Sequence, residues 1–562
     1  MLRAPPSPDG LTGPLCTKCQ AEIVDTSATL SWKSHLCRID ELLESNDPPA
    51  PDEAEKMRAS FADAKRRYQS IEQELGIMEQ RRVLLQMEKK DISKYLGSQK
   101  RILEPIRSMP VEILEKIFTI CIDDATDPET RHYDDPLSTK SVRWIIGYVC
   151  RRWRMVSLST PMMWDNIQLN VGTGGYESAS IRNLLLSTHI QRSNSLPLTV
   201  GLYGFSPRFT EKHPFLITIL AFAARWQRLH IIMKPRDMQR CLSYIQPFLA
   251  SLKALTTYQD RHFRNLPLNY HSLPDEHCDV FHGAVSLTSV RLTCQVPLIN
   301  LLWDRLHSLT LTCSVNRVSD VLNILRLTKN LEKLYIGEYS LDTDGIADTE
   351  TTHAPLSLTA LKVLQFRSEA GLFSPLSPER QRASARRQFL NTLSIPNLEI
   401  FIDNGLPIQP VSMAYLGILQ RSGCKGLMDI NFGLVAVPED EFYTILVQNP
   451  YIKSLAFRSE NISNKLIKYL SYRPTVTEDC ALPKLDCLTM NGTFNFEAEM
   501  CADMIESRHR AHHAGKAAWM HAVRLYQTAG SLASSEMLSK LERLKHTNFF
   551  FDFQDVVETQ YS

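Results

Sequence analysis

Nine short segments from Trp226 onward repeat one arrangement of apolar residues. They are Trp226, Leu229 and Ile231; Leu287, Val290 and Leu292; Leu306, Leu309 and Leu311; Leu331, Leu334 and Ile336; Leu361, Leu364 and Phe366; Leu398 and Phe401; Leu427, Ile430 and Phe432; Ile452, Leu455 and Phe457; and Leu485, Leu488 and Met490. Within each, the last residues alternate apolar and polar, the period of a strand with one face buried. Measured at the fourth position, the gaps run from about 19 to about 60 residues, most near 25 to 35. A strand of this length cannot hide its apolar face alone. It needs a returning helix or loop, and stretches such as Val318–Leu325 and Glu441–Val447 supply one. Units of this kind are stable only when stacked, so the pattern predicts a curved α/β solenoid with a continuous parallel sheet over 195–508. Ala502–Arg508 is helical in texture and is expected to cap it. The aromatic run Phe549, Phe550, Phe551 and Phe553 in the tail, 509–562, is expected to pack on the last unit.

A different period governs 52–104, which contains no proline. Met57, Phe61, Ala64, Tyr68, Ile71, Leu75, Met78, Leu85, Ile92 and Leu96 alternate spacings of four and three, a heptad repeat. Arg82 and Lys89 fall on core positions of that frame, where polar residues cost stability and specify register or partner. The segment predicts a helix about 60 to 75 Å long that forms a coiled coil, within the chain or by self-association, or that folds back on its own protein. The preceding residues, 1–51, are rich in Pro, Ser, Thr and Gly at first and end at the break Pro48-Pro49-Ala50-Pro51. They are expected to be mostly disordered.

The totals narrow the function classes. Across 562 residues, 63 basic and 62 acidic side chains leave a net charge of +1. So even a balance offers no global attraction to nucleic acid or a membrane surface. No run approaches the roughly 18 apolar residues of a membrane span, and the N-terminus has no signal-peptide core. A cytoplasmic or nuclear protein is expected, with most of its 13 cysteines reduced thiols. No metalloprotease, serine-hydrolase or kinase signature is present, so no catalysis and no cofactor are expected. Gly172-Thr173-Gly174-Gly175 lacks the Lys-Ser/Thr of a phosphate loop and reads as a turn.

Between the two periodic regions lies 105–170. Pro110 suits the first position of a helix, where its missing N–H costs nothing. Val111, Leu114, Phe118 and Cys121 form one apolar stripe of that helix, and Ile113, Ile117 and Ile120 form another. Two stripes on one short helix mean two faces to cover. A second helix carrying Val149, Cys150 and Trp153 follows, then a Pro161-x-x-Trp164 turn. These residues resemble the F-box, a three-helix module that docks on Skp1 in SCF ubiquitin ligases. The order of coiled coil, Pro-led module and degenerate leucine-rich repeats is similar to the F-box proteins abundant in mushroom-forming fungi.

The resemblance implies a mixed α and α/β fold: a coiled-coil helix, a small all-α F-box and an irregular leucine-rich-repeat-like solenoid. It implies that Pro110, Ile113, Leu114, Ile117 and Phe118 face Skp1 or support that face. Val149, Cys150 and Trp153 add the third helix's part, while Trp164 seals the module against the repeats. Ubiquitin-dependent degradation of a protein held by the repeats would follow, with a Skp1-like adaptor and the cullin ligase core as partners. A dimeric coiled-coil scaffold with a degenerate F-box is the alternative. Two departures stand out. Met109 replaces the usual Leu, a volume-conserving change. An acidic insertion, 123–135, lengthens the loop after the first helix.

Two further clusters have metal-ligand chemistry. Cys16 and Cys19 form a C-x-x-C half-site, and His35 and Cys37 offer a second pair at an unusual spacing. Chance cysteines in a disordered tail are the alternative. His509, His512, His513 and His521 lie among basic residues and read as a solvated face.

Overall fold

The computed structural model describes residues 36–126, 135–170, 176–203, 214–257, 277–312, 316–337, 340–343, 355–367, 379–404, 412–473, 480–529 and 549–555. The protein is mixed α/β, with a long helix near its N-terminus and a large parallel sheet. It divides into two units, Met1–Pro110 and Val111–Ser562.

The first unit contains helices α1 (Leu36–Ser45), α2 (Pro51–Leu103) and α3 (Pro105–Ser108). Pro51 starts α2 at a position that needs no N–H, and Asp52 and Glu53 complement the positive end of its dipole. Lys100 and Arg101 do the same at the other end. Pro105 stops it, because a proline disfavours helical geometry in the residue before it. None of its 53 residues is buried.

The second unit opens with α4 (Val111–Thr126), α5 (Val142–Val149) and α6 (Arg151–Ser159), then enters a fourteen-stranded sheet. Its strands are Asn166–Asn170, Leu198–Tyr203, Trp226–Ile231, Ala254–Thr257, Ser289–Leu292, Ser308–Leu311, Lys333–Gly337, Val363–Arg367, Ile400–Asp403, Asp429–Ala436, Ser454–Ser463, Cys487–Asn495, Ala522–Ala529 and Phe550–Asp555. Every adjacent pair is parallel, and order in the sheet follows order in the chain.

The register explains the core. Ile167, Val200, Leu229, Leu255, Val290, Leu309 and Leu334 are paired neighbours in one continuous column. The column continues through Leu364, Phe401, Ile430, Leu455, Leu488, Val523 and Phe551. All but Phe551 are at most 1% exposed. At roughly 1.5–3 kcal/mol per fully buried aliphatic or aromatic side chain, such columns dominate what holds the sheet. Helices cover this face, among them α7 (Tyr176–Arg192) and the segments Val318–Leu327, Glu379–Thr392, Ser412–Ser422, Glu439–Gln448 and Ala498–His513.

All nine segments read from the sequence form strands of this sheet. Its limits differ from 195–508, however. The sheet begins at Asn166, directly behind the helices, and continues through Ala522–Ala529 and Phe550–Asp555. Ala498–His513 is therefore a connection between two strands, not a cap, and the aromatic tail is the edge strand itself. Phe549 is buried beside it.

Candidate functional site

In α4 the apolar residues separate into two sets. Leu114, Phe118 and Ile122 are 0–3% exposed, four residues apart along one face. Ile113, Ile117 and Ile120 lie on another face and are 36–51% exposed. Val111 and Cys121, placed by spacing with the first stripe, are exposed. The inner face repeats every four residues, so Ile122 takes the place expected for Cys121. Leu114 and Phe118 are thus interior residues behind the exposed face, the second of the two placements expected for them. Pro110 is exposed, and α4 begins one residue after it, at Val111.

Val149, Cys150 and Trp153 do not share one helix. Val149 ends α5, and Cys150, with extended backbone (φ −160°), is the joint before α6. Its Sγ accepts a hydrogen bond from the Trp153 backbone N–H at 3.4 Å, the geometry of an N-cap. Arg154 Nε donates to the Gly147 carbonyl at 2.9 Å and closes the same joint. Trp153 is half-buried, its ring 4.9 Å from that of Phe118. Thr160 Oγ1 donates to Glu115 Oε1 at 3.0 Å and ties the end of α6 to α4.

The outer surfaces of these helices remain apolar. Val149 is 57% exposed, and Ile145, Tyr148, Met155 and Leu158 are also exposed. The residues 127–134 of the acidic insertion lie outside the described residues; α4 itself extends to Thr126.

Trp164 is buried at the join between helices and sheet. Its indole N–H donates to the Ser157 carbonyl at 2.8 Å. Its ring meets those of Trp144 at 5.2 Å and His189 at 4.9 Å, edge to face. The Arg192 guanidinium lies over both indoles, 4.8 and 4.5 Å from their centroids. His189 and Arg192 belong to α7, the first helix on the sheet, so this cluster joins the helical module to it. Burial holds the His189 pKa well below its ordinary value, and the charges of Arg143 and Arg192 add to the effect.

A second surface lies on the sheet face opposite the core. There the half-buried His230, Thr256, Arg291, Tyr335 and Gln365 form a mostly polar column in register with the buried Gln168, Gly201 and Thr310. Arg367 stacks over the Tyr335 ring at 4.2 Å. Between α8 (Pro214–Leu220) and Phe248 there is a cleft of about 340 Å³, lined by Ile217, Ala224, Tyr244 and Phe248 among others. Its lining offers an apolar seat with one phenol and no acid–base pair.

The metal-ligand candidates divide. Cys16, Cys19 and His35 lie outside the described residues, as does the Gly172–Gly175 turn; Cys37 is the second residue of α1. His509 is not on a solvated face as expected. It is 5% exposed and stacked on Trp519 at 3.9 Å, with Phe549 edge-on at 5.4 Å. No group of three or more His, Cys, Asp or Glu among the described residues is arranged to hold a metal ion. Nor is any described helix long and apolar enough to cross a membrane.

No protein-family model matches the chain, and no curated protein matches it.

Proposed function

We propose that the protein is a non-catalytic F-box adaptor. In this reading Val111–Ser159 docks a Skp1-like protein and the cullin ligase core behind it. The stacked strands form a leucine-rich-repeat-type solenoid that holds the substrate protein through its polar face. The adaptor works in the cytoplasm or nucleus.

The observation that carries the reading is the division of α4. Leu114, Phe118 and Ile122 satisfy the module's interior, which leaves Ile113, Ile117 and Ile120 without an interior role. A 16-residue helix with a second apolar face of this kind, beside α5 and α6 with exposed apolar residues of their own, has the character of an interaction surface. Trp153, half-buried against Phe118, has the amphipathic bulk of an interface anchor.

The test is co-purification of the full chain with Skp1. The wild type retains Skp1, and Ile113→Asp and Ile117→Asp lose it while their thermal midpoints stay near that of the wild type. Retention by the double variant, or no binding by the wild type, overturns the proposal.

A further inference from the structure

We propose that α2 pairs with α2 of a second copy of this chain in an antiparallel coiled coil centred on Leu75 and Met78. This does not depend on the Skp1 reading.

A strict seven-residue repeat drifts around a straight helix by about 20° per heptad, so only a partner that supercoils with it can cover the whole stripe. Here the stripe runs from Met57 to Leu96, and its large apolar members from Phe61 onward are 41–70% exposed. The charges select the partner and its direction. In an antiparallel pair with Leu75 facing the partner's Met78, Arg82 faces Ile71 and Lys89 faces Ala64, so neither core cation meets its own copy. Beside the seam, Arg67 and Glu74, which meet within their own helix at 3.5 Å, face the partner's Glu88 and Arg81 respectively. Symmetry repeats both, giving four pairs of opposite sign. The cost is Glu72 against the partner's Glu79. Glu79 is already held in its own helix by Arg82, whose Nε donates to it at 2.7 Å.

The neighbouring arrangements lack this match. A shift of one heptad in one direction sets Arg67 on Arg81 and Glu74 on Glu74. In the other direction it sets Glu74 on Glu88 and Arg81 on Arg81. A parallel pair in register stacks Arg82 on Arg82 and Lys89 on Lys89, and its attractive Arg67–Glu72 pair is offset by Glu74 on Glu79. The favoured register also places the Leu75–Met78 layer at the middle of Pro51–Leu103, so the two helices overlap along nearly their whole length.

Sedimentation of the full chain over a range of concentrations tests this with Glu74→Arg, Arg81→Glu and the double variant. A dimer is expected for the wild type. Glu74→Arg sets arginine against Arg81 twice and should raise the dissociation constant about tenfold. The double variant should return it to within about twofold of the wild type. A parallel dimer responds oppositely, because Glu74→Arg would then face Glu79 and tighten it. A wild-type monomer throughout the range overturns the pairing. Tightening by Glu74→Arg, or no effect, overturns the antiparallel register.

Discussion

Arg386 Nη1 lies 3.0 Å from Asp403 Oδ2 inside the apolar core, with side-chain exposures of 3% and 0%. Asp403 sits in register beside Phe366, in a column otherwise built largely of apolar side chains. Tyr415 completes the arrangement, its hydroxyl donating to Asp403 Oδ2 at 2.6 Å. Burial is the first cause that raises the Tyr415 pKa well above its ordinary value, and the Asp403 charge adds to it.

Removing one member should cost far more than removing the set. Asp403→Leu leaves a buried guanidinium without its carboxylate, and about 3–5 kcal/mol of stability is expected to be lost. Arg386→Leu with Asp403→Leu should recover most of it. Denaturant unfolding of both variants measures the difference, and equal losses would refute the buried-pair account.

The His189 cluster predicts an acid sensitivity. The unfolded chain gains a proton on His189 as pH falls through about 6.5, whereas the buried ring resists it. Its contribution is unchanged above pH 7 and falls below, by at most about 1.4 kcal/mol per pH unit. Thermal midpoints at pH 7 and 5 should therefore differ less in His189→Phe than in the wild type.

The two faces of α4 predict opposite responses to truncation. Leu114→Ala empties an interior position and should cost about 2–5 kcal/mol. Ile113→Ala changes an exposed one and should stay within about 0.5 kcal/mol of the wild type. Chemical denaturation of the two variants checks this.

Gly492 has φ +134°, a conformation rare for any other residue, and a Cβ there would lie 1.8 Å from the Ser459 carbonyl oxygen. The register between these two strands slips just after Ser459. Gly492→Ala should cost at least about 2 kcal/mol, since it adds strain and a backbone clash. A thermal midpoint equal to the wild type would show that the strand can shift to accept it.

Much of the sheet was legible because its alternation is local. Each strand that carries Leu at the first and fourth places announces itself within six residues. The missed strands lack that signal or break it. Leu198–Tyr203 has the alternation without the leading apolar residue. Ala254–Thr257 ends in Thr257, buried against Thr293 with their hydroxyls 3.3 Å apart. Arg508 was equally hidden. It is fully buried and donates to the carbonyls of Leu470, Ala481 and Leu482, all distant in sequence.

Residue order alone settled the long helix Pro51–Leu103 and the nine strands with the repeated apolar pattern, because those properties depend on spacing within one or two turns. It also set the heptad frame in which Leu75 and Met78 fall on core positions. Which apolar face of α4 turns inward, that Cys150 caps a helix, and that Asp403 is tolerated among aromatic rings were decided by tertiary packing. These depend on how neighbouring elements meet, as Glu115 of α4 meets Thr160 after α6 and Arg386 meets Asp403, contacts that form only when the helices and the sheet close on a common core.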